Sequence, residues 1–559
     1  MTIPSDADDL PTQWSEAARP VLSVVTLVVV ASAFYLSFNG YAGFLTVNFD
    51  SDQAIQVLMA ADLQLPADLY YWGQQRGGSI VPILGRFLLD HSDLSPIRAV
   101  SYAQYFILGL GYLGFACLFR TNLARLLFAL AWFLPPQPFG FLLMLGHPYA
   151  AQLGFLGIAV ALIARLPRMT GWTQIMLRHL LIVGAVVCLF LSVWASDFSV
   201  ISLALMAGFG MIGIGYQLWL APVTRLSKQL TSKHLTISLI IILTSLELIT
   251  LLIASRYGIR FIRYAKSHAT ASDDVFSINT LSQTKTMVEL VFGTIHRIVT
   301  FQNPDFGLNV FGFSALVFLG SASAFLLIYG LVVVLQQWLR RPAPPHLDIS
   351  PWCWFFVCNA VIGTGAILLS SWVYINSIQD GAGKRYFVPI YLMIWVAALL
   401  FTEGIPQVAA RPLWAVLLVV ALIGSATLPA SVYGLEKFEP TIQRLQPLRT
   451  LGTAGLIGNH WASYLLCSVN PDQLSCTQFD EYGQPYCSSQ EVPPVRRPSG
   501  RCPRCVNRVL DAPQIYLVKN HWIDEFPAET EQFGECLVNI GEPFELAGYT
   551  LAPYRVRRP

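Results

Sequence analysis

The chain has 559 residues, 54% of them hydrophobic and only 12% charged, about half the charged fraction of a soluble globular protein. Mean hydropathy is +0.54, so a wholly soluble enzyme is excluded. Thirty-five Lys and Arg against 33 Asp and Glu leave a net charge of +2, a balance that calls for no nucleic acid or other polyanion as the main partner.

Apolar runs long enough to cross a hydrocarbon core recur from 21 to 432, and 433–559 are polar. Eleven spans are predicted: 21–43, 97–119, 122–136, 146–164, 179–195, 198–220, 235–255, 309–337, 351–374, 386–402 and 412–432. The expected fold class is an all-α polytopic membrane domain of about 11 helices with a small extracytoplasmic mixed α/β domain at the C-terminus. Residues 1–20 form a cytoplasmic tail. The motif Ala31-Ser32-Ala33 resembles a signal cleavage site, but Asp6, Asp8, Asp9 and Glu16 outweigh Arg19 and the apolar run continues, which favours a retained anchor. At Pro135-Pro136-Gln137-Pro138 the third and fourth spans meet, and a single broken helix there is the alternative to two spans.

Lys and Arg resist translocation, so alternate loops assign sidedness. One set carries Arg120, Arg125, Arg165, Arg168, Arg178, Arg225, Lys228, Lys233, Arg340, Arg341 and Arg411, whereas the short loops at 135–145 and 195–197 carry none. The first set is cytoplasmic. An odd span number then puts the N-terminus inside and the tail outside.

The first outer loop, 48–96, is too long for a simple connection. Ile55, Leu58, Met59 and Leu63 recur at helical intervals, predicting a short amphipathic helix over 53–63 that lies at the membrane surface. Ser51 or Asp52 is its expected N-cap, and Asp50 and Asp52 sit where the helix dipole favours carboxylates. Capping alone would explain both. The functional alternative is an outward carboxylate acting as general base on an acceptor hydroxyl. Tyr70-Tyr71-Trp72-Gly73-Gln74-Gln75-Arg76-Gly77-Gly78-Ser79 follows, with the aromatic faces, amides and guanidinium that hold a sugar. The same aromatics also serve as interfacial anchors.

Further along, His147 opens the fourth span on the outer side, where it contacts donor or acceptor or rests as an interfacial histidine. Asp197 reads as an N-cap. Glu247 lies in an apolar run, and with no basic partner in the neighbouring spans it does not make a proton relay. Arg256, Arg260 and Arg263 share one helical face and oppose the positive-inside bias, which suits an anionic ligand or anionic lipid. The loop from 256 to 308 is read as a cover over the site. Lys384 and Arg385 stand before the tenth span, where Arg385 either clamps a phosphate or snorkels at a helix end.

Four cysteines (117, 188, 353, 358) lie in spans and six (467, 476, 487, 502, 505, 536) in the tail. A dense even set in an oxidising compartment favours disulfides over zinc, with the pairing open. The spacing predicts helix over 440–457 and strands over 514–519 and 544–555.

Phe49-Asp50-Ser51-Asp52-Gln53-Ala54-Ile55, then Leu58-Met59-Ala60, then Tyr71-Trp72-Gly73-Gln74 and Gly77-Gly78-Ser79 resemble the first outer loop of membrane-embedded C-type glycosyltransferases. Relatives include protein O-mannosyltransferases and lipid A aminoarabinose transferases. The close match covers about 35 residues. The resemblance implies the C-type glycosyltransferase fold and a polyprenyl-phosphate sugar as donor, transferred with inversion to an acceptor hydroxyl of a glycan, lipid or protein at the outer face. The family's catalytic Asp falls on Asp52. Its second acidic position is Gln53 here, with Asp50 as the compensating carboxylate. Tyr71, Trp72, Gln74, Arg76 and His147 become sugar or acceptor contacts, and Arg385, Lys384, Arg256, Arg260 and Arg263 become donor-phosphate contacts. No cofactor is required, because basic side chains can carry the leaving-group charge, although an Asp50 and Asp52 pair is able to recruit a divalent ion. The tail and the lack of a eukaryotic sorting signal fit a bacterial inner membrane. Two other readings compete: a transporter or flippase of lipid-linked saccharide, which would need intramembrane polar pathways, and a non-enzymatic envelope assembly protein.

Overall fold

The computed structural model describes residues 12–166, 172–223, 233–269, 277–300, 349–379, 382–434, 438–484, 486–487, 496–498 and 501–557. The predicted span at 309–337, the acidic residues Asp6, Asp8 and Asp9, and Arg168, Arg225, Lys228, Arg340 and Arg341 lie outside the described residues. The chain is mostly helical, with a C-terminal sheet. Among the described residues, five segments are long and apolar enough to cross a membrane: Ser23–Tyr41, Pro96–Ala116, Thr173–Ala195, Pro351–Leu369 and Arg385–Gly404. Shorter apolar helices are Asn122–Phe133, Tyr149–Ala164, Asp197–Ile212 and Ala410–Ala426.

In chain order the helices are α1 (Thr12–Tyr41), α2 (Ser51–Ala61), α3 (Ile80–Asp90), α4 (Pro96–Ala116), α5 (Asn122–Phe133), α6 (Tyr149–Ala164), α7 (Trp172–Ala195) and α8 (Val200–Val223). Then follow α9 (Lys233–Ser267), α10 (Leu281–Thr300), α11 (Pro351–Leu369), α12 (Ser371–Gln379), α13 (Val388–Gly404), α14 (Gln407–Ala426), α15 (His460–Cys467) and α16 (Pro503–Leu510). Every predicted span that falls on described residues overlaps a helix.

The chain forms two compact units. The first joins Met1–Phe38, Phe115–Gly140 and Asn279–Leu435; the second joins Asn39–Gly114, Phe141–Ile278 and Glu436–Pro559. The Pro135–Pro138 junction therefore separates two helices that belong to different units, not one broken helix. In the first unit, Glu403 accepts hydrogen bonds from the Arg120 and Thr121 amides at 3.0 and 2.7 Å, satisfying donors that the start of α5 would otherwise expose. The span predicted over 351–374 breaks at Ser370. There the Asn279 amide nitrogen of the side chain donates to the carbonyls of Leu368 and Ser370 at 2.9 and 3.2 Å, so the carbonyls freed by the break are paired.

The second unit carries the sheet. Strands β1 (Ala454–Gly458), β2 (Leu474–Gln478), β3 (Ile515–Val518), β4 (Glu529–Gln532), β5 (Glu535–Asn539), β6 (Phe544–Leu546) and β7 (Tyr549–Val556) run in the order β2-β1-β3-β7-β5-β4, with β6 on β7. The pairs β1/β2 and β1/β3 are parallel and the rest antiparallel. α15 supplies the crossover that the parallel β1/β2 pair requires. The helix expected over 440–457 is corrected here: helical turns Thr441–Arg444 and Gln446–Leu451 give way to β1. A strand buried on both faces reads as a continuous apolar run, which periodicity alone does not separate from helix. The strand at 514–519 is β3. The strand at 544–555 is a hairpin, turned at Ala547 and Gly548, whose φ values of 54° and 81° suit a two-residue turn.

All six tail cysteines are bonded, as Cys467–Cys476, Cys487–Cys536 and Cys502–Cys505. Within this unit, α2 does not lie on a surface. Ser51 and 53–60 are buried, and Ile55, Val57, Leu58 and Met59 share one core with Tyr464, Leu466, Leu474 and Leu551 of the tail.

Candidate active site

The site is assembled where α2 begins. Asp50 is the N-cap, with extended backbone and its Oδ1 accepting the Gln53 N–H at 3.0 Å. It takes the role expected of Ser51 or Asp52. Ser51 instead donates through Oγ to the His460 carbonyl at 2.6 Å. Asp52 is left in the first helical turn, where the N-terminal dipole favours its ionised form. Gly146 closes the other side: its φ is +87°, and a Cβ there would sit 2.6 Å from the Asp52 carbonyl carbon. Only glycine permits that approach, which brings the following residue, His147, into the field of Asp52.

The Asp52 side chain is 21% exposed. Its Oδ1 accepts from the Tyr71 hydroxyl at 3.2 Å and stands 3.3 Å from His460 Nε2. Burial pushes the carboxyl pKa up, but the His460 hydrogen bond and the charges of His147, His460 and Arg501 outweigh burial and hold it at about 2. Burial and the Asp52 charge push the Tyr71 phenol well above its ordinary range, so this hydroxyl remains a donor.

Residues 70–78 form a tight hairpin, closed by pairing of Tyr70 with Gly78 and by a 2.7 Å bond from the Tyr71 N–H to the Gly77 carbonyl. Gly73, at φ +72°, packs on Arg501, whose Cγ would lie 2.8 Å from an added Cβ. Gln74 and Arg76 are half-buried near the tip. Tyr71 and Trp72 are buried in the core shared with the tail. The Trp72 indole donates to Asp68 Oδ1 at 3.0 Å, and the Arg504 guanidinium lies 5.5 Å from the indole centroid. Arg504 also pairs with the buried Asp68 carboxylate, with Nη1–Oδ1 at 3.0 Å and Nη2–Oδ2 at 2.5 Å. This bidentate contact couples the loop to the tail across 436 residues of sequence.

Of the residues singled out in the sequence, Asp50, Asp52, Tyr71 and His147 therefore converge. Arg256, Arg260 and Arg263 lie exposed on α9 and are not among the charges that act most on Asp52. Arg385 belongs to the first unit, in the turn Ala382–Phe387, with its guanidinium 5.2 Å from the Tyr386 ring centroid. The Tyr386 hydroxyl in turn accepts from the Trp372 indole at 2.8 Å. The Lys384 side chain lies outside the described residues.

Two expectations are corrected. Glu247 is buried but not isolated, because Arg178 of α7, assigned by sequence to a loop, pairs with it. Asp197 pairs with Lys266 at 2.9 Å, and Ser196 occupies the cap position.

Sequence reasoning missed His460, Arg501 and the Asp68–Arg504 pair. The available signals were the cap-like Asn459 ahead of His460, and arginines placed beside and within Cys502-x-x-Cys505.

No family model matches the chain, and no curated protein matches it. Among solved structures it is similar to an oligosaccharyltransferase from Archaeoglobus fulgidus in complex with Zn and sulfate (12% identity, 88% of this chain and 68% of that one, TM-score 0.39). It is also similar to ArnT from Cupriavidus metallidurans in the apo state (10% identity, 96% and 98% covered, TM-score 0.41). The same ArnT bound to undecaprenyl phosphate aligns at 10% identity over 97% and 98%, with a TM-score of 0.46. TM-scores of 0.39 to 0.46 are too low for these likenesses to decide the activity of this chain.

Proposed function

We propose that this protein is an integral-membrane glycosyltransferase that moves a sugar from a polyprenyl-phosphate donor to an acceptor hydroxyl at the outer face of a bacterial inner membrane. The observation that carries this reading is Asp52: an ionised, partly exposed carboxylate set among Tyr71, His460, His147 and Arg501, in a loop that resembles the catalytic loop of C-type glycosyltransferases.

In this reaction the acceptor oxygen attacks the anomeric carbon as the bond to the lipid phosphate breaks, with inversion. Asp52 takes the hydroxyl proton. A carboxylate held at about 2 is a weak base, so the proton moves only as bonding to the anomeric carbon makes the attacking oxygen acidic. Asp50 assists by capping and orienting the turn that carries Asp52. Gln74, Arg76 and His147 are assigned to sugar and acceptor, while Tyr71 acts through Asp52 and Trp72 through Asp68. Arg385 and Lys384, with Arg256, Arg260 and Arg263, are assigned to the departing phosphate, which guanidinium and ammonium groups stabilise without a metal.

Asp52→Asn keeps the size of the side chain and removes the base. Transfer should fall by about 10²–10⁴-fold, while native mass spectrometry of the purified protein should show a co-purified polyprenyl-phosphate sugar enriched in the variant. Unchanged turnover would refute the assignment. Full activity in a chelator is the expected result for the metal-free form; loss that added divalent ion restores would overturn that part.

A further inference from the structure

The two oxygens of Asp52 are not equivalent. Tyr71 and His460 both approach Oδ1, and among the described residues no hydrogen bond reaches Oδ2. We propose that His460 is a positioning residue: its Nε2–H holds Oδ1 and thereby presents Oδ2 to the acceptor hydroxyl. The proposal rests on the glycosyltransferase reading and assigns a tail residue a part in it.

His460 is well placed for this. It opens α15, whose start is capped by Asn459 Oδ1 accepting the Ala462 N–H at 2.9 Å. Its carbonyl is tied to α2 through Ser51, and its ring packs 4.9 Å from Trp461 and 5.7 Å from Tyr464, centroid to centroid. The side chain is only 12% exposed. Two donors from separate elements, the 70–78 hairpin and α15, restrain rotation of the carboxylate, because rotation breaks both bonds.

The network also assigns the tautomer. Among the described residues, His460 Nδ1 is buried without a partner. A proton there would be an unpaired buried N–H, whereas a proton on Nε2 meets Asp52. His460 is therefore a donor to Asp52 and not a second base. In the transfer, the acceptor hydroxyl proton goes to Oδ2, the new bond forms between the acceptor oxygen and the anomeric carbon, and the phosphate leaves with the old bond's electron pair. The Nε2 proton stays in place. Among the described residues, the charged and titratable groups facing the pair are His147 from the Gly146 turn, Arg501 ahead of α16, Tyr71 from the hairpin and Asp50 at the cap of α2.

The pair can be tested without turnover, using full-length protein labelled with ¹⁵N-histidine in lipid nanodiscs. The His460 signal is identified by its loss in His460→Gln. In Asp52→Asn its Nε2 signal should move, since the charged acceptor of the Nε2–H is replaced by a neutral amide; an unchanged signal overturns the pairing.

The role is read from transfer of a polyprenyl-phosphate sugar. His460→Phe should lower kcat by about 10²-fold, the scale of a misplaced reacting group, with acceptor KM nearly unchanged. Its acid limb should shift to higher pH, because Asp52 has lost a partner that favours its ionised form. His460→Gln retains an N–H donor and should recover most of kcat. Wild-type kcat in His460→Phe, or an equal loss in Phe and Gln variants with no shift of the acid limb, overturns the positioning role. Absence of transfer by the wild-type protein would instead refute the glycosyltransferase reading, and the NMR comparison would still decide whether the two side chains are paired.

Discussion

At the scale of single residues, Asp50 and Asp52 show how two carboxylates two positions apart acquire different work. Asp50 spends its oxygen on the Gln53 amide, whereas Asp52 is kept ionised by the His460 hydrogen bond and the field of its neighbours. Because its folded value of about 2 lies below the ordinary 3.8, Asp52 stabilises the fold above about pH 4. That contribution is lost as pH falls through about 2. Unfolding monitored against pH should therefore show a steeper loss between pH 4 and 2 for wild type than for Asp52→Asn. The transfer rate of wild type should show no acid limb from Asp52 at pH 5–7. The identity of Asp52 as the reactive carboxylate was legible from its motif. Its partners were not, since His460 lies 408 residues away in sequence.

At the scale of elements, α2 and the tail form one structure. The helix looked amphipathic because Ile55, Leu58 and Met59 recur on one face, yet Gln53 and Gln56 are buried too. The missing information was that the tail packs against those apolar residues, which share its core. The Arg504–Asp68 contact secures that arrangement, with the Asp68 side chain only 2% exposed. Arg504→Ala leaves the buried Asp68 carboxylate without its cation, keeping the Trp72 indole and the Gln64 amide as donors, and loss of a charge partner of this kind costs up to about 3–5 kcal/mol. The expected readout is a lower thermal midpoint with faster proteolysis between 62 and 79. Wild-type behaviour in both would show that the pair does not fasten the loop. Arg504→Ala in an Asp68→Asn background should cost less than in wild type, since the buried charge is gone.

At the scale of the whole molecule, the proposed chemistry requires sidedness. Cysteine-labelling or reporter fusions should place residues before 20 in the cytoplasm and the tail at the outer face, where its three disulfides form. A cytoplasmic tail would remove the outer-face reaction. The ion pair between Arg178 and Glu247 bears on the transporter alternative, because this intramembrane carboxylate has a basic partner and is not isolated.

By itself, the sequence determined the apolar helices, the separation of a polar tail, the oxidised cysteines and the acidic loop motif. Each depends on local composition or spacing: hydropathy over about 20 residues, an even cysteine set, carboxylates beside a helix start. Tertiary structure decided what those features touch. A strand at 454–458 became distinguishable from helix only through its neighbours in the sheet, and Glu247 gained its arginine only when α7 packed on α9. Asp52 acquired His460, His147 and Arg501 from three separate stretches of chain. Electrostatic environment is set by distance in space, and contacts this far apart in sequence leave no periodic trace to read.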